Sequence, residues 1–190
     1  MNTRKVLSGC SQRGLVLVSS LLLLLVATIL GLSMFRTVGS EEKIAGNIRE
    51  KQRALHAAES AQQYAEWWLS NSRVSAPVVC NSLLDANIIQ GQVCSQDLRN
   101  VVGSVTGVPW QTGGADVGVS YTPPGMTVTT ASAADTYYAR PRFYIADAGK
   151  AASGQGEIYR IEAAGYGGTT AAVAVVESTF SLYLSSWSLE

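Results

Sequence analysis

Few side chains of this 190-residue chain could carry out chemistry, and their spacing does not build a catalytic site. His56 is the only histidine, so a nucleophilic triad would have to use it, and its helical neighbours are expected to offer no oriented acid. The glycines of residues 165–168 lie between two candidate strands and do not open a helix, so they form no phosphate-binding loop. The scattered aspartates lack the spacing of a calcium loop. The sequence therefore predicts no enzyme, no cofactor and no metal site.

The composition fits a folded protein that has no basic face. Fourteen Lys and Arg balance fourteen Asp and Glu, hydrophobic residues make up 47% of the chain and charged residues 15%. The charge balance argues against a nucleic-acid-binding protein, and the apolar fraction argues against a disordered one. The length fits one domain with an appendage.

An uncharged, apolar segment occupies residues 14–35, between Arg13 and Arg36. As a helix, it is long enough to cross a hydrocarbon core of about 30 Å. Arg4, Lys5 and Arg13 precede it, which keeps the N-terminus in the cytoplasm and places the remaining chain outside. The segment is longer than the core of a secretory signal peptide, and no small-residue cleavage site follows it. An uncleaved signal anchor stays open as an alternative.

The chain stays compatible with a helix beyond this segment, up to about Ser72. Apolar side chains at three- and four-residue spacing form one stripe there, made of Leu55, Ala58, Ala61, Ala65, Trp68 and Leu69, with Ala54 and Ala57 beside them. This spacing is typical of an amphipathic helix. Gly31, Gly39 and Gly46 are weak points, which leaves a bend, local melting or a break near Gly39 open.

The head that follows, residues 73–190, is predicted to contain an antiparallel sheet. Residues 103–136 are rich in glycine and read as loops with short strands. Better strand candidates are residues 142–146, 157–163 and 171–184, with residues 165–170 as the loop between the last two. A sheet facing the apolar stripe would bury Leu55, Ala58, Ala61 and Trp68. The predicted class is α+β, a long N-terminal helix packed on a C-terminal antiparallel sheet.

The cysteines favour a structural role in this exported head. Cys80 and Cys94 lie 14 positions apart, and two such cysteines outside the cytoplasm are expected to form a disulfide. Two free thiols are the alternative, whereas a metal pair would lack further ligands nearby. Cys10 precedes the apolar segment, although a lipoprotein box would follow one, so we give it no role.

Several short stretches occur in an order that is specific when taken together. They are Gln12-Arg13-Gly14, the apolar helix with Thr28, Gly31, Leu32 and Ser33, then Arg36, Glu41-Glu42-Lys43-Ile44-Ala45-Gly46-Asn47, Ala57-Ala58-Glu59 and Ala65-Glu66-Trp67-Trp68-Leu69. Over about residues 12–70 the chain resembles type IV pilin-like proteins, and specifically minor pilins of the PilX type. Residues 159–168 and 175–178 are similar to the last hairpin of that family.

The resemblance implies a processing site and a division of the chain. A prepilin peptidase would remove the leader, residues 1–14, by cleaving after Gly14, and Leu15 would become a methylated N-terminus. Residues 15–36 would be the transmembrane and assembly half of the helix, and residues 37–72 its amphipathic half. Most pilins carry Glu at the fifth mature position, which is Ser19 here. Since Ser19 lacks the carboxylate, we expect a place at or near the filament tip, with a merely tolerated serine as the alternative.

The function implied is that of a minor pilin in type IV pilus assembly and initiation, supporting cell adhesion and twitching motility. Implied partners are the prepilin peptidase, other minor pilins, the major pilin and a PilY-type tip adhesin. The protein would be a single-pass protein of the bacterial inner membrane with a periplasmic head, and would then join the pilus at the cell surface. A pseudopilin of a type II secretion system and an unpolymerised, membrane-anchored binding module are the alternatives.

Overall fold

The computed structural model describes residues 13–71, 76–80, 92–131, 135–152 and 154–183. Its elements in chain order are α1 (Arg13–Asn71), β1 (Val93–Cys94), α2 (Leu98–Val102), β2 (Gln111–Thr112), β3 (Ala115–Asp116), β4 (Val119–Ser120), β5 (Arg142–Lys150), β6 (Glu157–Tyr166) and β7 (Val173–Leu182). Residues 1–12 of the predicted leader lie outside the described residues. The long helix followed by a mostly antiparallel sheet confirms the predicted α+β class.

Helix α1 contains 59 residues, and its backbone is helical at Gly31, Gly39 and Gly46. The break that the sequence left open near Gly39 is therefore absent from the described backbone. The chain divides into two compact units, residues 1–46 and residues 47–190. The second unit contains the C-terminal part of α1 together with all of the strands.

The main sheet has the order β1-β5-β6-β7, and β4 pairs with another part of β5. The pairs β5–β6, β6–β7 and β4–β5 are antiparallel, whereas the two-residue strand β1 runs parallel to β5. Strands β2 and β3 form a separate hairpin. The glycine-rich region thus contains loops and short strands, as predicted. The three long strands start and end within a few residues of the predicted ranges, except that β5 extends to Lys150.

One face of the sheet packs on α1 through small side chains. Ala54, Ala58, Ala61 and Ala65 are fully buried in the helix, and Tyr159, Ile161 and Ala163 of β6 are buried against it. The helix lies so close that a Cβ at Gly165 would come within 2.5 Å of the Ala54 oxygen and the Ala58 nitrogen. The buried stripe is centred on alanines because only small residues allow this approach.

The prediction that Leu55 is buried against the sheet is wrong. Leu55 is 38% exposed, whereas its neighbours Ala54 and Ala57 take the inward positions. A leucine is too large for a place where helix and strand backbones nearly touch. Trp68, predicted to be buried, packs partly buried against the core, whereas its neighbour Trp67 is 58% exposed.

The opposite face of the sheet is covered as well. Cys80, Cys94, Leu98 and Trp110 form a second buried cluster with Tyr144 of β5, joined by Val117, Ala146 and Ala164. The Tyr144 hydroxyl donates to the Gln96 oxygen at 2.9 Å. Described residues of β1, α2 and the segment that leads to β4 thus form a third layer, and β6 is buried from both sides.

Candidate assembly site

The predicted processing site lies at the start of α1. The helix begins at Arg13, so Gly14 and Leu15 are part of its first turn. A Cβ added at Gly14 would meet no described atom within 4 Å, and Leu15 is 69% exposed. No described residue therefore covers the bond between them, and cleavage there stays a prediction.

The N-terminal part of α1 exposes a continuous apolar surface. Its large hydrophobic side chains from Leu15 to Met34 are between 44% and 73% exposed. Among the described residues, α1 is the one helix that is long and apolar enough to cross a membrane. A surface of this kind has to be covered by lipid or by other protein. The residue composition and the exposure agree with a protein that is anchored in a membrane.

Ser19 lies within this apolar surface, and its hydroxyl is engaged by its own helix. Its Oγ donates to the Val16 oxygen at 3.0 Å, as the Ser20 Oγ does to the Leu17 oxygen at 2.9 Å and the Thr28 Oγ1 to the Leu25 oxygen at 2.8 Å. Such bonds satisfy a hydroxyl in hydrocarbon, where no water is present. Ser19 thus presents neither a charge nor a free donor.

The disulfide predicted from the sequence is present in the structure. The Sγ atoms of Cys80 and Cys94 lie 2.02 Å apart, and the Cα atoms 5.5 Å apart. Both residues are buried, and Cys94 belongs to β1, which pairs with Ile145 and Ala146 of β5. The bridge therefore attaches the chain at residue 80 to the edge of the sheet.

Helix α1 is held to the turn after β6 by polar contacts that the sequence did not reveal. The Glu50 Oε2 accepts from the Gly168 backbone N–H, and its Oε1 accepts from the Arg53 Nη1 at 2.8 Å. These contacts, first of all the one from Gly168, lower the pKa of Glu50. The Arg53 Nη2 donates to the Thr136 oxygen at 2.6 Å. From the sequence, Glu50 and Arg53 lie outside the apolar stripe of α1. Nothing in their spacing indicates the hydrogen bonds to Gly168 and Thr136.

The other residues that could do chemistry are not brought together. The prediction that the helical neighbours of His56 offer no oriented acid is wrong, because the His56 Nδ1 lies 3.3 Å from the Glu59 Oε2. Both side chains are exposed, so His56 is a helix-surface residue. Among the described residues, no group of three His, Cys, Asp or Glu side chains could hold a metal ion.

Comparison with known families identifies the family of this chain. Residues 13–62 match the family model described as PilX N-terminal, and residues 54–182 match the model described as Type IV pilus assembly protein PilX C-term. The chain belongs to the PilX family of type IV pilus assembly proteins. The family resemblance read from the sequence is thereby confirmed. No curated protein and no solved structure matches the chain.

The two PilX matches meet where the helix packs on the sheet. They share residues 54–62, which contain the buried Ala54, Ala57, Ala58 and Ala61. The PilX N-terminal match thus covers the apolar surface and the first alanines, and the C-terminal match covers the sheet. PilX proteins are structural components of the pilus rather than a family of enzymes. Family membership implies that this chain takes part in pilus assembly and contacts other pilus components.

Proposed function

We propose that this PilX-family protein is a minor pilin that acts at or near the pilus tip, initiates assembly and thereby supports adhesion and twitching motility. A prepilin peptidase removes its leader after Gly14, and Leu15 becomes the methylated N-terminus. It is stored in the inner membrane with its head in the periplasm, and then joins other minor pilins, the major pilin and a PilY-type adhesin at the cell surface.

Ser19 is the observation that carries the position at the tip. In the family pattern, a glutamate at this place pairs with the N-terminal amine of a neighbouring subunit. Ser19, whose hydroxyl donates to the Val16 oxygen, carries no negative charge with which to pair that amine. A subunit that has the glutamate can still join behind this chain, whereas this chain docks poorly behind another. A subunit that can be followed by another subunit, but docks poorly behind one, fits the end of a filament and not the repeating positions along its shaft.

The exposed apolar surface supports both storage and assembly. The same side chains of Leu15 to Met34 that face lipid in the membrane can pack among other pilin helices once the protein leaves it. Because lipid and neighbouring helices are about equally apolar, moving from one to the other costs little hydrophobic free energy.

The first experiment is mass spectrometry of the N-terminus, on protein from membranes and from sheared surface filaments. We expect methylated Leu15 in both fractions. Methylated Leu15 in membranes only would favour a pseudopilin or an assembly primer, and the neighbouring genes would separate these two. An intact Met1, or a start beyond residue 35, would mean a signal anchor or a secreted protein and would overturn the proposal.

The second experiment tests the tip position with Ser19→Glu, and Ser20→Glu is the matched control. Both variants add one carboxylate to the apolar helix, but only the first places it where the family pattern has one. In a piliated strain, immunogold labelling should find wild-type protein at filament ends and the Ser19→Glu variant along the shafts. The Ser20→Glu variant should not enter the shafts. Wild-type protein distributed evenly along filaments would refute the tip position and leave pilus assembly intact.

A further inference from the structure

A cavity of about 330 Å³ opens at the end of the sheet where the chain turns from β6 to β7. It lies between the β2–β3 hairpin, the segment before β5 and the last residues of β6. The residues that matter for its chemistry are Val108, Pro109, Tyr138, Arg140, Ala164 and Tyr166, which we call the Tyr138 pocket. Its volume is at the lower end of the range for ligand sites, so it fits a side chain or two and not a large molecule.

Apolar and aromatic side chains line the Tyr138 pocket together with the polar side chains of Gln111, Asp116, Arg142 and Thr170. The rings of Tyr138 and Tyr166 are tilted at 56° with centroids 5.6 Å apart. The Tyr138 backbone N–H donates to the Gly167 oxygen at 2.8 Å, which holds this ring beside the turn. Within the described part of the chain, neither tyrosine hydroxyl has a hydrogen-bond partner. Rigid aromatic walls with free hydroxyls are typical of protein contact sites.

The charges around the pocket leave one cation available. Arg142 is already engaged, because its Nη2 lies 2.7 Å from the Asp116 Oδ2 and its Nη1 donates to the Val117 oxygen at 3.3 Å. The Gln111 Nε2 also donates to Asp116, at 2.8 Å. Arg140, in contrast, is exposed and pairs with none of the described residues. The pocket therefore combines apolar walls with an uncompensated guanidinium and two free hydroxyl donors.

We propose that the Tyr138 pocket receives an acidic side chain of another pilus subunit, with the apolar residue beside that acid packed against the two tyrosine rings. A guanidinium binds a carboxylate through paired hydrogen bonds. An exposed ion pair alone binds weakly in water, so the tyrosine walls must add apolar burial. A peptide segment supplies both groups, whereas a free inorganic anion supplies only the charge. This inference rests on membership in a pilus assembly family and does not depend on the position at the tip.

The test uses the full chain in nonionic detergent micelles and two dipeptide probes, Ac-Phe-Glu-NH2 and Ac-Phe-Gln-NH2. These probes differ only in the charge of one side chain. Backbone ¹⁵N NMR should show concentration-dependent shifts of the Tyr138 and Tyr166 amides. The glutamate probe should bind about two- to fivefold more tightly than the glutamine probe, which is the effect of one exposed ion pair.

Two variants locate the charge that is responsible. Arg140→Gln should remove the preference for the glutamate probe and leave the amide spectrum otherwise unchanged, because Arg140 has no partner to lose among the described residues. Lys150→Gln, at the other end of β5, removes a positive charge far along that strand and should keep the preference. Equal affinity for both probes in the wild type would overturn the carboxylate. An absence of shifts at Tyr138 and Tyr166 up to about 10 mM would overturn the site.

Discussion

We predict that Glu162 makes the stability of the head fall as the pH rises from acid to neutral. It lies in the middle of β6 and has no exposed surface, and neither of its carboxylate oxygens has a hydrogen-bond donor among the described residues. Burial, followed by the nearby charges of Asp97 and Glu177, raises its pKa to about 7, against the opposing effect of Arg160 and Arg99.

Charged and polar groups from neighbouring elements lie near this carboxyl. Asp97 caps α2 above the sheet, Glu177 is the cross-strand neighbour on β7, and Tyr144 is the neighbour on β5. Arg160 forms ion pairs with both Asp97 and Glu177, and their negative charges offset most of its effect on the pKa of Glu162. A neutral, protonated Glu162 is therefore the form that the folded head favours.

The magnitude follows from the two proton affinities. The unfolded chain releases the proton near pH 4.5, whereas the folded chain keeps it up to about pH 7. At about 1.4 kcal/mol for each tenfold change in proton affinity, the bound proton stabilises the fold by about 3 kcal/mol. This contribution is complete below pH 4.5 and disappears as the pH rises through 7. Between about pH 5 and about pH 8 the free energy of unfolding should fall by about 2.5 kcal/mol.

Guanidinium unfolding of the full chain in nonionic detergent, followed by near-ultraviolet circular dichroism, measures this change. Glu50 and Asp116 have lowered pKa values, so their contributions are lost only at more acidic pH than this range. Glu162→Gln keeps the shape of the protonated acid and cannot titrate, so its free energy of unfolding should change less than that of the wild type. A wild-type value that is constant or rises over this range, or the same slope in Glu162→Gln, would refute the reasoning.

Three further predictions concern the framework of the head. Replacing Cys80 and Cys94 together by serine should lower the free energy of unfolding by about 3 kcal/mol, since the loop no longer restricts the unfolded chain; guanidinium unfolding would measure it. Gly165→Ala should lower the free energy of unfolding by about 1–3 kcal/mol or prevent folding, because the added methyl would lie 2.5 Å from helix backbone atoms. The control Gly46→Ala places its methyl in open space and should not destabilise the protein. Equal melting midpoints for the two variants would contradict this prediction. Glu50→Gln should accelerate hydrogen exchange by about tenfold at the Gly168 backbone amide, which donates to the Glu50 carboxylate. Unchanged exchange would show that this contact is unimportant.

The periodic parts of the fold could be predicted from the sequence. The alanine spacing defines the buried side of α1, and Tyr159, Ile161 and Ala163 alternate along β6 because they face that helix. The error at Leu55 has a physical cause. Periodicity gives the direction of a side chain, but the distance between helix and sheet is set by Gly165, which is remote in sequence.

The third layer could not be predicted in the same way. The two-residue strand β1 carries no periodic signal, and its place is fixed by pairing with Ile145 and by the disulfide. Without that cover, Arg160 and Glu162 look like the solvent side of an ordinary half-buried strand. The contact of Glu50 with Gly168 is equally remote, because 118 positions separate the two residues. The motifs of the N-terminal half were easier to recognise, since they are local and follow one another in order.

The polar contacts that α1 makes with the residues around the sheet have a mechanical consequence. The compact unit that contains the sheet begins at Asn47, and the first polar bonds that its helical part makes with the rest of the unit are those of Arg49, Glu50, Lys51 and Arg53. The Arg49 Nη2 lies 2.9 Å from the Asp135 Oδ1. Lys51 adds a bond from its Nζ to the Val173 oxygen at 3.0 Å. We therefore expect tension that enters this unit along α1 from its N-terminal side to be shared among four neighbouring side chains before it reaches the alanine core. If the protein is incorporated into a pilus as proposed, we expect it to resist extraction of its helix at the point where the load arrives.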